Sequence, residues 1–329
     1  MEKMQDKISV IVPFHSLEEY LDTCLSSIQN QTYKNFEVIM LANNVHDSSR
    51  EIAKKYADTD ARFLLYDLPF ETRNISTIRN YALMLATGKY MIWVDGDDYV
   101  SPNLLAVQYD SIQQSDADMA ICRVFLSHSR EHVFNKKERY KIDIISAKQT
   151  QIGVLTQAFV NGGLTNKMFR TDLAQQIKFD EYCSMFEDLE YVFRYLDLCK
   201  SSNVALNKKY MYVYYMRQGS LSKEKKILPI LRRITTTNKI IRLKSVEYYD
   251  VFARGLHVAI AIPLIKKCKK TKYDMKIRII FAKYLQEAVK TFKHIKMPIY
   301  KKFFVWLYYK KYKKYLKKPF WFEGNTANA

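Results

Sequence analysis

The chain has 329 residues, 48% of them hydrophobic and 14% aromatic, with 53 Lys+Arg against 34 Asp+Glu for a formal net charge of +19. That apolar content excludes a wholly disordered chain, and only 8 Gly and 7 Pro exclude a collagen-like or linker-rich one. At roughly 150 residues per domain, the length predicts about two domains.

Met1 to Lys7 is polar and carries no signal-peptide-like apolar run. Ile8 to Val12 is a short apolar run ending in Pro13, the pattern of a buried strand. Leu17, Leu21, Leu25 and Ile28 follow at helical spacing, then Phe36 to Leu41 reads as a second strand. Ser48 to Tyr56 predicts a helix and Phe63 to Tyr66 a third strand. Ile75, Ile78, Ala82 and Leu85 mark a helix ended by Gly88, and Tyr90 to Val94 a fourth strand. Ser101-Pro102 suits an N-cap and first-turn pair, and Asp118 to Phe125 supplies a further strand. This alternation predicts an α/β fold whose mostly parallel sheet is covered by helices on both faces. Such sheets bind ligands beyond the carboxyl ends of their strands.

The charge divides unevenly. Residues 1–222 hold 25 basic and 28 acidic side chains, and residues 223–329 hold 28 basic and 6 acidic, net +22. A boundary near Ser222 therefore separates a near-neutral domain, 1–222, from a basic, Tyr-rich helical domain, 223–329. Five cysteines without a Cys-x-x-Cys pair point to free thiols in a reducing compartment. With no apolar stretch near 18 residues, a spanning helix is not expected, and the expected location is cytoplasmic.

Directly behind the fourth strand comes Asp95-Gly96-Asp97-Asp98. Carboxylates gathered this closely repel one another unless a cation or solvent compensates. Hard oxygen ligands of this kind suit Mg²⁺ or Mn²⁺, which keep waters and bridge to substrate phosphates. The same residues also suit a solvated acidic turn capping the next helix, Asp98 above all.

Ser9-Val10-Ile11-Val12-Pro13-Phe14, Leu25 to Phe36, Ser76 to Asn80, Leu85 to Tyr90 and Trp93 to Tyr99 resemble, in order and spacing over residues 7–125, family 2 of the GT-A glycosyltransferases. Phe186-Glu187-Asp188-Leu189-Glu190 resembles that family's Glu-Asp motif. Asn166 to Arg170 and Tyr214 to Ser220 look like its acceptor-side and closing motifs, which extends the likeness to about residue 222.

The resemblance implies a Rossmann-like GT-A domain with a nucleotide-sugar part over 1–125 and an acceptor part over 126–222. It implies a hexosyltransferase that moves a sugar, with inversion, from a nucleotide-diphospho-sugar, UDP-sugar being the expected donor. The acceptor is a hydroxyl of a saccharide, a lipid-linked saccharide or a glycoprotein glycan. Asp97 would contact the Mg²⁺ or Mn²⁺, Asp95 the ribose or the metal's water shell, and Asp188 would be the base. Pro13, His15, Asn43, Arg79, Lys167, Glu187 and Arg217 complete the implied substrate contacts.

The family's Asp-Asp-Gly-Ser turn after the second strand is replaced here by Ala42-Asn43-Asn44-Val45-His46-Asp47. Asn43 still offers a donor and an acceptor to a uracil edge, and Asn44 tolerates a left-handed turn. His46 reads as an exposed turn residue. Arg79 suits a diphosphate, or equally an ion pair with Asp95 or a neighbouring acid.

Toward the end, Phe304, Tyr308, Tyr312, Tyr315 and Leu316 recur at helical spacing, with Lys310, Lys313, Lys314 and Lys317 on other faces and Lys318 to Phe322 following. A cationic, aromatic helix over residues 299–322 suits an anionic membrane surface on the inner face of the cell membrane, a polyanionic acceptor, or a second subunit of a homo-oligomer. A helical bundle with a solvated Lys face is the plain alternative. A nucleic-acid-binding protein is another reading of the basic region, against which stands the lack of an RRM, KH or zinc signature. A catalytically inactive GT-A-like scaffold is the third, suggested by Asn43-Asn44.

Overall fold

Continuous apolar runs become buried strands in the computed structural model of the chain. It describes residues 5–70, 72–129, 134, 141–156, 162–183, 186–201, 203–217, 278–279, 282, 285–286, 289 and 299–317. Strand β1 (Ile8–Phe14) pairs in parallel with β2 (Phe36–Ala42) on one side and β4 (Tyr90–Trp93) on the other, and β3 (Phe63–Asp67) extends the sheet beyond β2. Every β2 residue and all of β1 but Pro13 are buried. Covered on both faces, these strands have no solvent side on which polar residues would alternate.

The rest of the sheet is built from β5 (Tyr99–Val100), β6 (Met119–Ser127), β7 (Ile142–Ser146), β8 (Lys167–Arg170) and β9 (Asn203–Tyr215). The order is β3-β2-β1-β4-β8-β6-β9-β5, with β7 also on β9. Strand β8 runs antiparallel between β4 and β6, while β6 and β9 are parallel. The sheet is thus parallel through its first four strands and mixed beyond them.

Helices α1 (Leu21–Gln29), α2 (Ser49–Thr59), α3 (Ile75–Leu85) and α4 (Leu104–Ser115) link the early strands, with α5 (Ala147–Thr156), α6 (Thr171–Ala174) and α7 (Glu187–Leu198) later. Helix α1 buries Leu21, Cys24, Leu25 and Ile28. Leu17 stays in the preceding turn, where its carbonyl accepts from the N–H groups of Tyr20 and Leu21. After α3, Gly88 lies so close to β1 that a Cβ would sit 2.7 Å from Ser9 N and 2.8 Å from Lys7 O. Only glycine lets the chain pass that backbone into β4.

One expected boundary moves. Helix α4 begins at Leu104 behind Asn103, rather than at Ser101-Pro102. Ser101 is 3% exposed and its backbone is engaged elsewhere, donating to Met211 O at 2.8 Å and accepting from Gln31 Nε2 at 2.7 Å. Tertiary bonds to β9 and to Gln31, just past α1, outweigh the local cap.

The chain divides into two compact units, Met1–Glu224 and Lys225–Ala329. In the second, α8 (Ile299–Tyr312) runs into a 3-10 turn, Lys313–Lys317. Ile279, Ala282, Leu285, Val305 and Tyr308 are buried, and Arg278 Nη1 donates to Tyr315 Oη at 3.0 Å. Most of the basic stretch, residues 218–277 and 318–329, lies outside the described residues. Cys24, Cys122 and Cys199 are free thiols, and Cys268 lies outside the described residues. No helix among the described residues is long and apolar enough to cross a membrane.

Candidate active site

Phe14, Asn43 and Asp95 stand where β1, β2 and β4 end, and all three line one cleft of about 670 Å³. Strands that run the same way deliver their carboxyl ends to the same edge, so residues far apart in sequence meet there. Pro13, His15, Asn43, Arg79, Asp95, Asp97, Glu187 and Arg217 all line the cleft. Asp188 and Lys167 do not. The cleft also takes in Arg73, which the sequence reading passed over. Arg73 is exposed just before the Asn74 cap of α3, and a cation ahead of a capped helix start at a strand-end edge was the signal available.

At one end, His15 Nδ1 lies 2.8 Å from the Asn43 carbonyl oxygen, so that nitrogen carries the proton and donates. Asn44 takes φ 49°, the left-handed turn that asparagine tolerates. Asn43 is 8% exposed, and its side-chain Oδ1 finds no hydrogen-bond partner among the described residues. A buried acceptor left open at the wall of a cleft is costly unless something donates to it. His46 is exposed on the rim, its ring edge-on to His15 at 6.1 Å.

The acidic loop is held from below. Tyr212 Oη donates to Asp98 Oδ2 at 2.6 Å and accepts from the Asp95 N–H at 3.1 Å. The Tyr215 N–H donates to Asp98 Oδ1 at 2.8 Å, and the Asp98 N–H closes the turn onto Asp95 O at 2.9 Å. Asp98 is 1% exposed, so it is an internal strut and not a solvated cap. Burial pushes its carboxyl well above the usual range, Asp95 and Asp97 add to this, and the bonds from Tyr212 and Tyr215 oppose it. At Gly96 a Cβ would lie 3.0 Å from Leu17 Cδ1 and 3.1 Å from Phe14 Cβ, leaving little room for a larger residue. Tyr212→Phe removes the hydroxyl that serves both Asp98 and Asp95. It is expected to lower unfolding free energy by about 2 kcal/mol, measured in urea, and to loosen the loop.

Above the strut, Asp97 Oδ2 accepts from Arg217 Nε at 2.6 Å. Burial pushes the Asp95 carboxyl up to about 6, with Arg79 opposing and Asp97, Asp188 and Glu187 adding to the rise. Arg79 Nη1 donates to Glu187 Oε1 at 2.6 Å, and both side chains are about one-tenth exposed (11% and 10%). Its ion-pair partner is Glu187, not Asp95. Arg79 Nε is buried without a hydrogen-bond partner among the described residues.

Helix α7 starts beside this group. Its N-cap, Phe186, sits at φ 64°, an uncommon conformation for a bulky side chain. Asp188 is half-buried, and its Oδ1 accepts from the Leu189 N–H at 2.7 Å. Burial pushes the Asp188 carboxyl up to about 6 and Glu187 adds to this, while Arg79 and Lys167 oppose it. Lys167 is fully buried in β8, donating to Gly163 O at 2.5 Å and Asn166 Oδ1 at 2.8 Å. Burial lowers its ammonium to about 7, and Asp188 opposes that fall. Lys167 thus does not line the cleft, and its charge is coupled to that of Asp188.

Among the described residues, no cluster of three or more His, Cys, Asp or Glu side chains could hold a metal ion by itself. Asp95 and Asp97 nevertheless fit a divalent ion of the Mg²⁺ or Mn²⁺ kind. They are hard oxygen donors on one loop, Asp97 already draws a cation in Arg217, and such ions fill their remaining positions with phosphate oxygens and water.

A parallel half-sheet with an acidic turn behind its fourth strand, opening on a strand-end cleft, is the arrangement of the GT-A fold. The chain belongs to glycosyl transferase family 2, whose family model matches residues 9–178. Among curated proteins it is similar to glycosyltransferase GlyA of Streptococcus pneumoniae, 30% identical over 227 residues, which cover 67% of this chain and 32% of that one. The chain thus spans about a third of that relative's length. Among solved structures, residues 1–349 of S. aureus TarS in complex with UDP-GlcNAc share the fold. They do so at TM-score 0.63 and 18% identity, covering 87% of this chain and 81% of that one. The mannosyltransferase PcManGT of Pyrobaculum calidifontis, in complex with GDP-Man and Mn²⁺, matches at TM-score 0.55 and 16% identity over 94% of this chain and 83% of that one.

Proposed function

We propose that the protein transfers a hexose, with inversion, from a UDP-sugar to a hydroxyl of a saccharide acceptor. That acceptor is free, lipid-linked or on a glycoprotein, and is met at the cytoplasmic face of the membrane. The observation that carries this reading is the single cleft that joins Asp95 and Asp97 to the unpartnered Oδ1 of Asn43. A uracil N3–H supplies the donor that Oδ1 lacks. The diphosphate then extends toward Asp97, Arg79 and Arg73.

Asp97 and Asp95 would hold a divalent ion, which would supply charge neutralisation for the departing diphosphate. Arg217 is already beside Asp97 and adds a planar cation to the same oxygens. Asp188 takes the acceptor's proton as its oxygen attacks the anomeric carbon. The carbon–oxygen bond to the β-phosphate breaks, and its electron pair leaves on the diphosphate. The helix start and Lys167 favour the carboxylate form of Asp188, while burial and Glu187 raise its proton affinity to a useful level. The TarS complex with UDP-GlcNAc and the Mn²⁺ complex of PcManGT support the donor class and the metal.

A thermal-shift screen of nucleotide sugars with Mn²⁺ tests the donor, because a ligand of the native state raises Tm. A uridine donor is expected to raise it in a Mn²⁺-dependent way and to lose that effect in Asn43→Ala. A rise with guanosine donors alone would refute the uridine assignment, and donor binding without turnover on any acceptor would refute catalysis.

A further inference from the structure

Helix α8 carries two apolar faces, and only one is turned inward. Val305 and Tyr308 are buried and Tyr312 half-buried, so part of the face expected from the Phe304-Tyr308-Tyr312 spacing is turned inward. On another face Ile299, Phe303 and Trp306 are 84%, 55% and 36% exposed, at four- and three-residue spacing, and Leu307 stands beside them at 45%. Ile299, Lys302, Phe303 and Trp306 enclose a shallow groove of about 340 Å³. Lysines border this stripe. Lys302 precedes it on one side, Lys311 follows on the other, and Lys310 lies with its Nζ 4.0 Å from the Trp306 ring centroid.

We infer that this face of α8 docks on an anionic phospholipid surface. Ile299, Phe303, Trp306 and Leu307 enter the headgroup–acyl boundary, and the lysines meet the phosphates. Large apolar side chains on a helix, bordered by long cationic ones, match the depth profile of an interface: apolar stems inward, charged ends at the headgroups. Charge selects the occupant. Residues 299–317 contain seven lysines and no acid, within a region of net +22. A second copy of this face would set lysine against lysine, whereas anionic lipid supplies the opposite sign over an extended plane. This inference is independent of the donor and acceptor reading, because vesicle binding and donor hydrolysis are separate measurements.

The test compares the full chain with Phe303→Glu/Trp306→Glu/Leu307→Glu, three exposed positions whose change leaves the buried face intact. Sedimentation with mixed phosphatidylglycerol/phosphatidylcholine vesicles is expected to capture the wild type, and pure phosphatidylcholine vesicles to capture it poorly. The triple variant should bind the anionic vesicles about a hundredfold more weakly, with thermal denaturation and donor hydrolysis unchanged. Trp306→Phe/Phe303→Leu should retain binding. Three results would overturn the inference. The triple variant binds like wild type; the wild type ignores anionic vesicles but forms a dimer that the variant loses; or only random oligonucleotides bind, with no response to the apolar substitutions.

Discussion

Asp97→Asn lowers Mn²⁺-dependent donor turnover about a thousandfold, because it removes the charge that holds an ion against the departing diphosphate. The substitution keeps the shape and can still accept a hydrogen bond from Arg217, so the loop should stay folded on its Tyr212 strut. The expected loss is therefore electrostatic and not structural. UDP release, followed with and without acceptor, reads the rate, and titration calorimetry with Mn²⁺ plus UDP reads the ion. Tm without ligand should hold within a few degrees. Undiminished UDP release in the variant would remove Asp97 from the site and with it the metal assignment.

Asp188→Asn is expected to cut transfer by about a thousandfold or more while donor binding survives, the signature of a lost proton acceptor. The residue stands outside the donor cleft, so the Mn²⁺-dependent thermal shift should match wild type. The pH profile supplies the second half of the test. Burial first, and Glu187 after it, raise the Asp188 carboxyl to about 6, against the pull of Arg79 and Lys167. A base works deprotonated, so wild-type transfer should rise with pH through about 6 and then level off. Asp188→Asn should abolish that limb. Transfer at a near-normal rate, or an unaltered limb, would assign the base elsewhere.

Much of residues 7–100 was legible because its signals are local. The runs at Ile8 and Phe36 are buried on both faces and read as strands without help from context. The acidic turn announces itself by three carboxylates in four residues behind such a strand. The part that Asp98 plays within that turn was not legible. Asp98 and Asp97 look alike in sequence, and only the Tyr212 and Tyr215 partners, more than a hundred residues away, make one a strut and leave the other at the cleft. Lys167 shows the same limit. It falls in an acceptor-side motif, yet β8 is inserted between β4 and β6, which buries the ammonium in the sheet. Strands β5, β7, β8 and β9 went unread because antiparallel pairing onto a mixed half-sheet leaves weaker period-two patterns than full burial does.

The bond from the Asp95 N–H to Tyr212 Oη spans 117 positions of sequence. Its consequence is that residues 1–125 do not complete the acidic loop by themselves. A fragment stopping near residue 125 would keep β1 to β4 and the Asn43 wall, but it would lose the Tyr212 and Tyr215 bonds that hold Asp95 and Asp98 in place. The acidic loop and β9 are thus one structural object, completed when the last long strand is laid down. Any exchange of residues 126–217 between relatives must carry β9 along with the loop it supports.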